Sequence, residues 1–362
     1  MTTATGSTLS GASFTQTAGT TTNAGTLQTS GAVTVNGGTL TTTGTVTAAT
    51  LSNAATVNAN GGAVNAAVTN TGAYNVGGSV TGNSTFDNNA GGTLAVAAAG
   101  DYSGLTTLTN AGAVTLATGG RLGAATYVQN AGGSLANNGG TMTVAGGYTQ
   151  NGGTGTSTGT IRVGGAFGLN GGTFANNAGG TLSAASLATA AGTTFSNAGS
   201  TATTGDLTNA GRLANTAGSL TVGGTLSNLA GGTVALSGGT LATVSGFANA
   251  GTLTQTGGTL SGGTLANTNT VNANGGAINA AVVNDAAFNV GGTVTGSSTF
   301  TNNAGGTLAI AAAGNYSGLT TLTNAGTITN AAGGSLGATT FTQGGGHHHE
   351  PRPDRHLSLI HI

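Results

Sequence analysis

The chain has 362 residues, of which 72 are Gly and only 3% are charged, with a formal net charge of −1 and no Cys. This composition excludes a disulfide framework, offers no basic stripe to neutralise nucleic-acid phosphates, and, with no Lys at all, excludes a GxxxxGK phosphate loop. No segment approaches the ~18 apolar residues of a membrane-spanning helix.

The first twenty residues, Met1 to Thr20, lack the basic region and apolar core of a signal peptide. Either the chain is cytosolic or its leader lies outside this sequence. A Gly-rich, weakly charged chain could be disordered, but periodicity argues otherwise. From Thr39 to Thr47, and again from Thr252 to Thr256, apolar residues alternate with Thr. That two-residue period predicts short, half-buried β-strands.

From Leu51 onward an apolar-x-Asn step followed closely by Gly recurs: Leu51-Ser52-Asn53, Val68-Thr69-Asn70, Phe86-Asp87-Asn88, Leu108-Thr109-Asn110 and Val128-Gln129-Asn130. It returns at Phe195, Phe247, Leu265, Phe300 and Leu322. Most neighbouring steps lie 17 to 22 residues apart, which matches one coil of a β-solenoid and not the longer helix-pair repeats. The spacing loosens between Asn151 and Asn209, where an irregular zone is expected.

About twenty residues at ~3.3 Å each make a perimeter of roughly 65 Å, enough for three short strands and three corners. Asn and Gly are expected at the corners, because both tolerate positive φ. The apolar residue two before each Asn then points inward, so Leu51, Val68, Phe86, Leu108, Val128, Leu265, Phe300 and Leu322 are the expected core. A single coil cannot offset its backbone ordering cost, so stacking is obligatory. About seventeen coils at ~4.8 Å would make a rod of roughly 80 Å.

The stretch 53–129 returns at 267–343 with about three-quarters of positions identical. The duplication copied whole coils, as stacking in register requires. Retained Asn residues fit stacked amide ladders: Asn58, Asn60, Asn65, Asn70, Asn75, Asn88, Asn89 and Asn110 recur as Asn272, Asn274, Asn279, Asn284, Asn289, Asn302, Asn303 and Asn324.

Charged residues are few before Gly346: Asp87, Asp101, Arg121, Arg162, Asp206, Arg212 and Asp285. Polysaccharide lyases and hydrolases built on β-helices need clustered acids and bases, and only Asp87 with Asp101 could be brought together by stacking. The second copy replaces these groups with Thr301 and Asn315, and Arg121 with Ser335. No catalytic, cofactor-binding or metal-binding residue is therefore expected. Calcium-binding rolls are excluded as well, since Asp never follows Gly-Gly in the GGxGxD pattern.

At His347 the text changes to HHHEPRPDRHLSLIHI, which holds both prolines and all five histidines. The 347–362 segment is read as a non-native tail from a lost reading frame ending in adaptor-derived sequence. His347, His348, His349 and Glu350 have metal-ligating chemistry, but as part of such a tail they form no expected metal site. The expected organisation is one β-solenoid repeat domain over 1–346, continuing in the parent protein beyond it.

The run Gly314 to Thr327, GNYSGLTTLTNAGT, and the NNAGGTL strings at Asn88, Asn176 and Asn302 resemble the passenger repeats of bacterial autotransporters and filamentous-haemagglutinin-like exoproteins. The resemblance covers 1–346 and implies an all-β, right-handed parallel β-helix with coils of about 20 residues. It also implies an internal fragment of a Gram-negative exoprotein, because neither a secretion domain nor the alternating strands of an outer-membrane barrel is present. The implied role is a structural or adhesive region at the outer-membrane surface or outside the cell, without catalysis. Implied partners are surface glycans or proteins and the outer-membrane secretion machinery for the parent. Apart from the resemblance, unpaired strand edges and low net charge predict end-to-end association of copies, and the charge balance predicts no nucleic acid. Two alternatives are an ice-binding solenoid, from the runs Thr39-Leu40-Thr41 and Thr45-Val46-Thr47, and a polysaccharide-processing β-helix enzyme. The short gap from Asn197 to Asn209 counts against the constant coil length that ice binding needs.

Overall fold

The computed structural model describes residues 1–345 and the backbone of 347–349. Among them there is no helix; parallel strands stack as a β-solenoid in about 18 coils of about 19 residues. Contacts divide the chain into two compact units, Met1–Ala185 and Ser186–Ile362. The first long copy lies in the first unit and its repeat in the second.

Each unit has three faces. In the first unit one face stacks Thr20–Asn23 on Thr39–Thr42, then Thr56–Ala59, Ala73–Val76 and Thr93–Val96. The second face begins with Thr8–Gly11 and Thr26–Thr29. The third begins with Phe14–Gln16 and Ala32–Val35. Several strands turn the corner between the second and third faces without a break. Thr45–Asn53, for example, pairs through Thr45 to Thr47 with Thr26–Thr29 and through Thr50 to Asn53 with Ala32–Val35. The second unit repeats the plan, with Thr233–Leu236, Thr252–Gln255, Thr270–Ala273 and Ala287–Val290 on its first face.

Inside, the two-residue strand period puts both the apolar residue and the Asn of each step in the core. Leu51, Val68, Phe86 and Leu108 are sealed, as are Leu265, Phe300 and Leu322. So are Asn53, Asn70, Asn88 and Asn110. The expectation that these Asn residues form corners through positive φ is therefore corrected: among the described residues no non-Gly residue has positive φ. They close the strand with an inward side chain, and Gly makes the turn. At Gly38, where φ is +75°, a Cβ would collide with the Gly19 carbonyl one coil below. Only Gly allows both the dihedral and that backbone-on-backbone approach.

The buried amides form a directional chain along the third face. Asn53 donates from Nδ2 to Asn70 Oδ1 at 2.7 Å, Asn70 to Asn88 at 2.8 Å, and Asn88 to Asn110 at 2.8 Å. In the second unit Asn209, Asn228, Asn249, Asn267, Asn284, Asn302 and Asn324 repeat this head-to-tail pattern with links of 2.7–2.8 Å. The amides from Asn53 to Asn110 and from Asn209 to Asn302 also donate to a backbone carbonyl of the next coil, as Asn88 does to Ala113 O at 3.0 Å. Buried polar groups are costly unless satisfied; here each coil satisfies the one below.

Val128 departs from the expected core. It is half-buried on the outer side, while Tyr127 and Gln129 point inward. Leu108 pairs with Tyr127 and Asn110 with Gln129, so the true step here is Tyr127-x-Gln129. The Tyr127 hydroxyl donates to Gln129 Oε1 at 2.9 Å, and Gln129 replaces Asn as acceptor of the Asn110 amide at 3.4 Å. The next coil repeats the pair, with Tyr148 donating to Gln150 Oε1 at 3.3 Å. Tyr127 packs on Tyr148 at 4.7 Å between ring centroids, and Tyr148 stacks on Phe167 at 4.3 Å.

The loosened spacing expected between Asn151 and Asn209 has two sources: register slips on either side of Asn151, between Gln150 and Thr154, and a change of face at the short gap near its end. Asn197 belongs to the first face, where it donates to Asn215 Oδ1 at 2.7 Å, whereas Asn209 belongs to the third, in register with Thr189. The gap between them is a step from face to face within a coil. True coil steps nearby are ordinary: Gln150 pairs with Leu169 in the first unit, and Thr189 lies 20 residues from Asn209 in the second.

The backbone of His347–His349 pairs with Thr327–Asn330. Gly346 and residues 350–362, and with them Glu350 of the considered ligand cluster, lie outside the described residues.

Candidate interaction surface

With the interior occupied by apolar columns and amide ladders, recognition falls to the side chains that alternate outward. On the first face of the first unit these include Thr20, Thr22, Thr39 and Thr41, in register across two coils. Asn75 there donates to Asn58 Oδ1 at 2.9 Å, and Asn289 repeats the contact with Asn272 at 3.0 Å in the second unit. These two pairs realise the outer amide ladder foreseen at Asn58 and Asn75.

The most regular hydroxyl array lies on the third face of the second unit. Thr299, Thr321 and Thr340 share one column, and Thr301, Thr323 and Thr342 share the next. Coils repeat at ~4.8 Å, and residues two apart in a strand at ~6.7 Å. In the first unit the same places hold Thr85, Thr107 and Thr126 beside Asp87, Thr109 and Val128. The array is thus complete only in the second copy.

Charged groups are dispersed over the faces. Asp87 sits outward on the third face and Asp101 on the second, so stacking does not bring together the one acid pair left open by the sequence. Asp101 instead stands in register with Arg121 one coil on. Asn315 and Ser335 hold the same two registered places in the second unit, so both charges are absent there. Asp206 accepts the Thr225 N–H at 2.8 Å, and Asp285 accepts the Asn303 amide at 2.7 Å. Arg162 lies on the second face between Thr143 and Ser183. Arg212 lies on the first face between Thr194 and Thr233. Among the described residues no three His, Asp or Glu side chains gather where they could hold a metal ion.

Two shallow grooves interrupt the faces. One, of about 420 Å³, follows the corner after the first face of the first unit, floored by Gly77, Ala97 and Ala117 and flanked by Asn60, Asn75 and Asn138. The other, of about 410 Å³, lies in the second unit beside Arg212, Ala191 and Gly231. Neither has an aromatic wall or a convergent set of acids and bases, the features of an enclosed small-molecule or catalytic site. All five tyrosines are buried. No family model, curated protein or solved structure matches the chain.

Proposed function

We propose that this chain is a structural and adhesive region of a secreted or surface-exposed bacterial exoprotein, acting without catalysis. The observation that carries the reading is the division of labour along each strand. Inward positions hold apolar side chains and hydrogen-bonded amides, while outward positions present long registered columns of Thr, Ser, Asn and Ala. Such a surface offers many weak hydrogen bonds over an extended area, suited to glycans or proteins met broadside. Low charge and absence of Cys suit export of an unfolded chain through a pore, followed by folding outside. Immobilised protein should retain surface glycans or glycoproteins, and replacing the Thr301, Thr323 and Thr342 column by Ala should weaken retention with thermal stability unchanged. Cleavage of an acidic polysaccharide that is lost on Asp101→Asn or Arg121→Ser would overturn the reading.

The six-threonine array favours ice binding as the second reading; the Asn197–Asn209 gap is a step between faces, while coil steps of 17 to 22 residues along the amide ladder still count against it. Thermal hysteresis that disappears with the same alanine column would decide for it.

A further inference from the structure

The chain contains six Asn-Gly dipeptides, at Asn36, Asn60, Asn138, Asn151, Asn170 and Asn274. All six Asn side chains are exposed. Sixteen other Asn side chains are buried in the ladders, and none of these is followed by Gly, although Gly is the residue that makes the neighbouring turns. Asn-Gly is the dipeptide in which the backbone nitrogen after Asn is least shielded, because Gly has no Cβ. The ladder positions avoid it and the corners carry it.

We propose that the exposed Asn-Gly corners are sites of spontaneous amide-to-acid conversion, led by Asn60, Asn138 and Asn274. The Gly61 nitrogen attacks Asn60 Cγ to form a succinimide. The new N–C bond replaces the Cγ–Nδ2 bond, and Nδ2 departs as ammonia with the Gly61 amide proton. Water then opens the ring at either carbonyl, leaving aspartate or isoaspartate, so water is the only co-reactant.

The backbone separates fast sites from slow ones. Among the described residues, Gly61, Gly139 and Gly275 donate their N–H to no backbone carbonyl, whereas Gly37 donates to Gln16 O at 3.3 Å. Asn151-Gly152 and Asn170-Gly171 lie inside the strands Tyr148–Ser157 and Ala166–Asn176. Attack at Asn36 first requires that corner bond to open, and at Asn151 and Asn170 it must distort a strand; the leading three lie outside the strands and require neither. Gly139, at φ +91°, is also free to turn its nitrogen without side-chain hindrance.

Each conversion adds one negative charge to a chain whose formal net charge is −1. Asn60 and Asn138 flank one groove, so their conversion would place two carboxylates on a lining that is otherwise uncharged. Because no buried ladder residue is involved, the fold survives the change.

The test is peptide mapping of the full chain during incubation in mildly alkaline buffer, with native electrophoresis alongside. Acid and isoaspartate should appear first at Asn60, Asn138 and Asn274, then at Asn36, Asn151 and Asn170, with single-charge steps on the gel. Asn88 and Asn302 should keep their amides throughout. In denaturant the six sites should convert together, because the order among them is imposed by backbone bonds. Conversion of exposed Asn83 or Asn177, which Gly does not follow, as fast as Asn60 would overturn the proposal. So would loss of the Asn88 amide in the native chain at the pace of the corners, or persistence of the same order of conversion in denaturant.

Discussion

Asn302 donates from Nδ2 to Oδ1 of Asn324, 22 residues on, at 2.7 Å, and both side chains are sealed from solvent. The same Nδ2 lies within reach of Gly306 O at 3.2 Å and Thr327 O at 3.0 Å, and Asn302 Oδ1 accepts from Asn284 at 2.8 Å. One side chain thus ties three successive coils. This linkage explains why an Asn recurs at coil spacing in a chain otherwise built from Thr, Ala and Gly.

Removing a ladder amide leaves buried partners unsatisfied. Asn302→Ala should destabilise the chain by about 1–3 kcal/mol for each partner left without a bond, measured by denaturant unfolding. Asn302→Asp should cost more at neutral pH, since an ionised carboxylate has no proton to donate to Asn324 or Thr327. Burial raises the pKa of such an acid above its unfolded value of about 3.9. The added penalty therefore grows as pH rises past that value and is relieved below it. An Asp variant as stable as wild type at neutral pH would show that the amide is not used as a donor.

The shifted step at Tyr127 makes a paired prediction. Tyr127→Ala should cost about 3–5 kcal/mol, the range for a buried aromatic, and should strand Gln129. Val128→Thr should change stability by less than about 0.5 kcal/mol, as for an outward substitution. Reversed magnitudes in thermal unfolding would restore the register in which Val128 is core.

Much of this architecture is legible in the sequence, and the exceptions have physical causes. Coil length, parallel strands and the apolar core at Leu51, Phe86 and Phe300 follow from spacing alone. The inward direction of the Asn does not, because Asn is both a turn former and a ladder former, and only the strand period extending through it separates the two. The apolar-x-Asn step also occurs on two faces, so the distance from Asn197 to Asn209 confuses a step around the coil with a step along it. The slip at Val128 left a trace in the second copy, where Phe341 and Thr342 stand for Tyr127 and Val128: the aromatic character persists at the inner place and the apolar character is lost at the outer. The pairing of Asp101 with Arg121 was not legible, because it depends on a register between coils that spacing alone does not fix.

Alkaline behaviour should be cooperative. Burial pushes the hydroxyls of Tyr74, Tyr102, Tyr127, Tyr148 and Tyr316 above their ordinary value of 10.0, and the chain has no other tyrosine. The folded state therefore keeps its protons where the unfolded chain releases them, so stability is intact below pH ~10 and falls as pH rises above it. Phenolate absorbance should appear together with loss of the β-sheet circular dichroism signal. Ionisation near pH 10 with the circular dichroism unchanged would show that the rings reach solvent in the native state.

The most direct test of the central claim, that the recurring Asn is an interior structural element and the outward columns form the working surface, is hydrogen exchange of side-chain amides resolved by residue. The Nδ2 protons of Asn228, Asn249, Asn267, Asn284 and Asn302 should exchange only through the large-scale opening that releases core backbone amides, while those of exposed Asn60, Asn138 and Asn151 exchange at solvent-limited rates. Ladder amides exchanging as fast as the corner amides would contradict the claim.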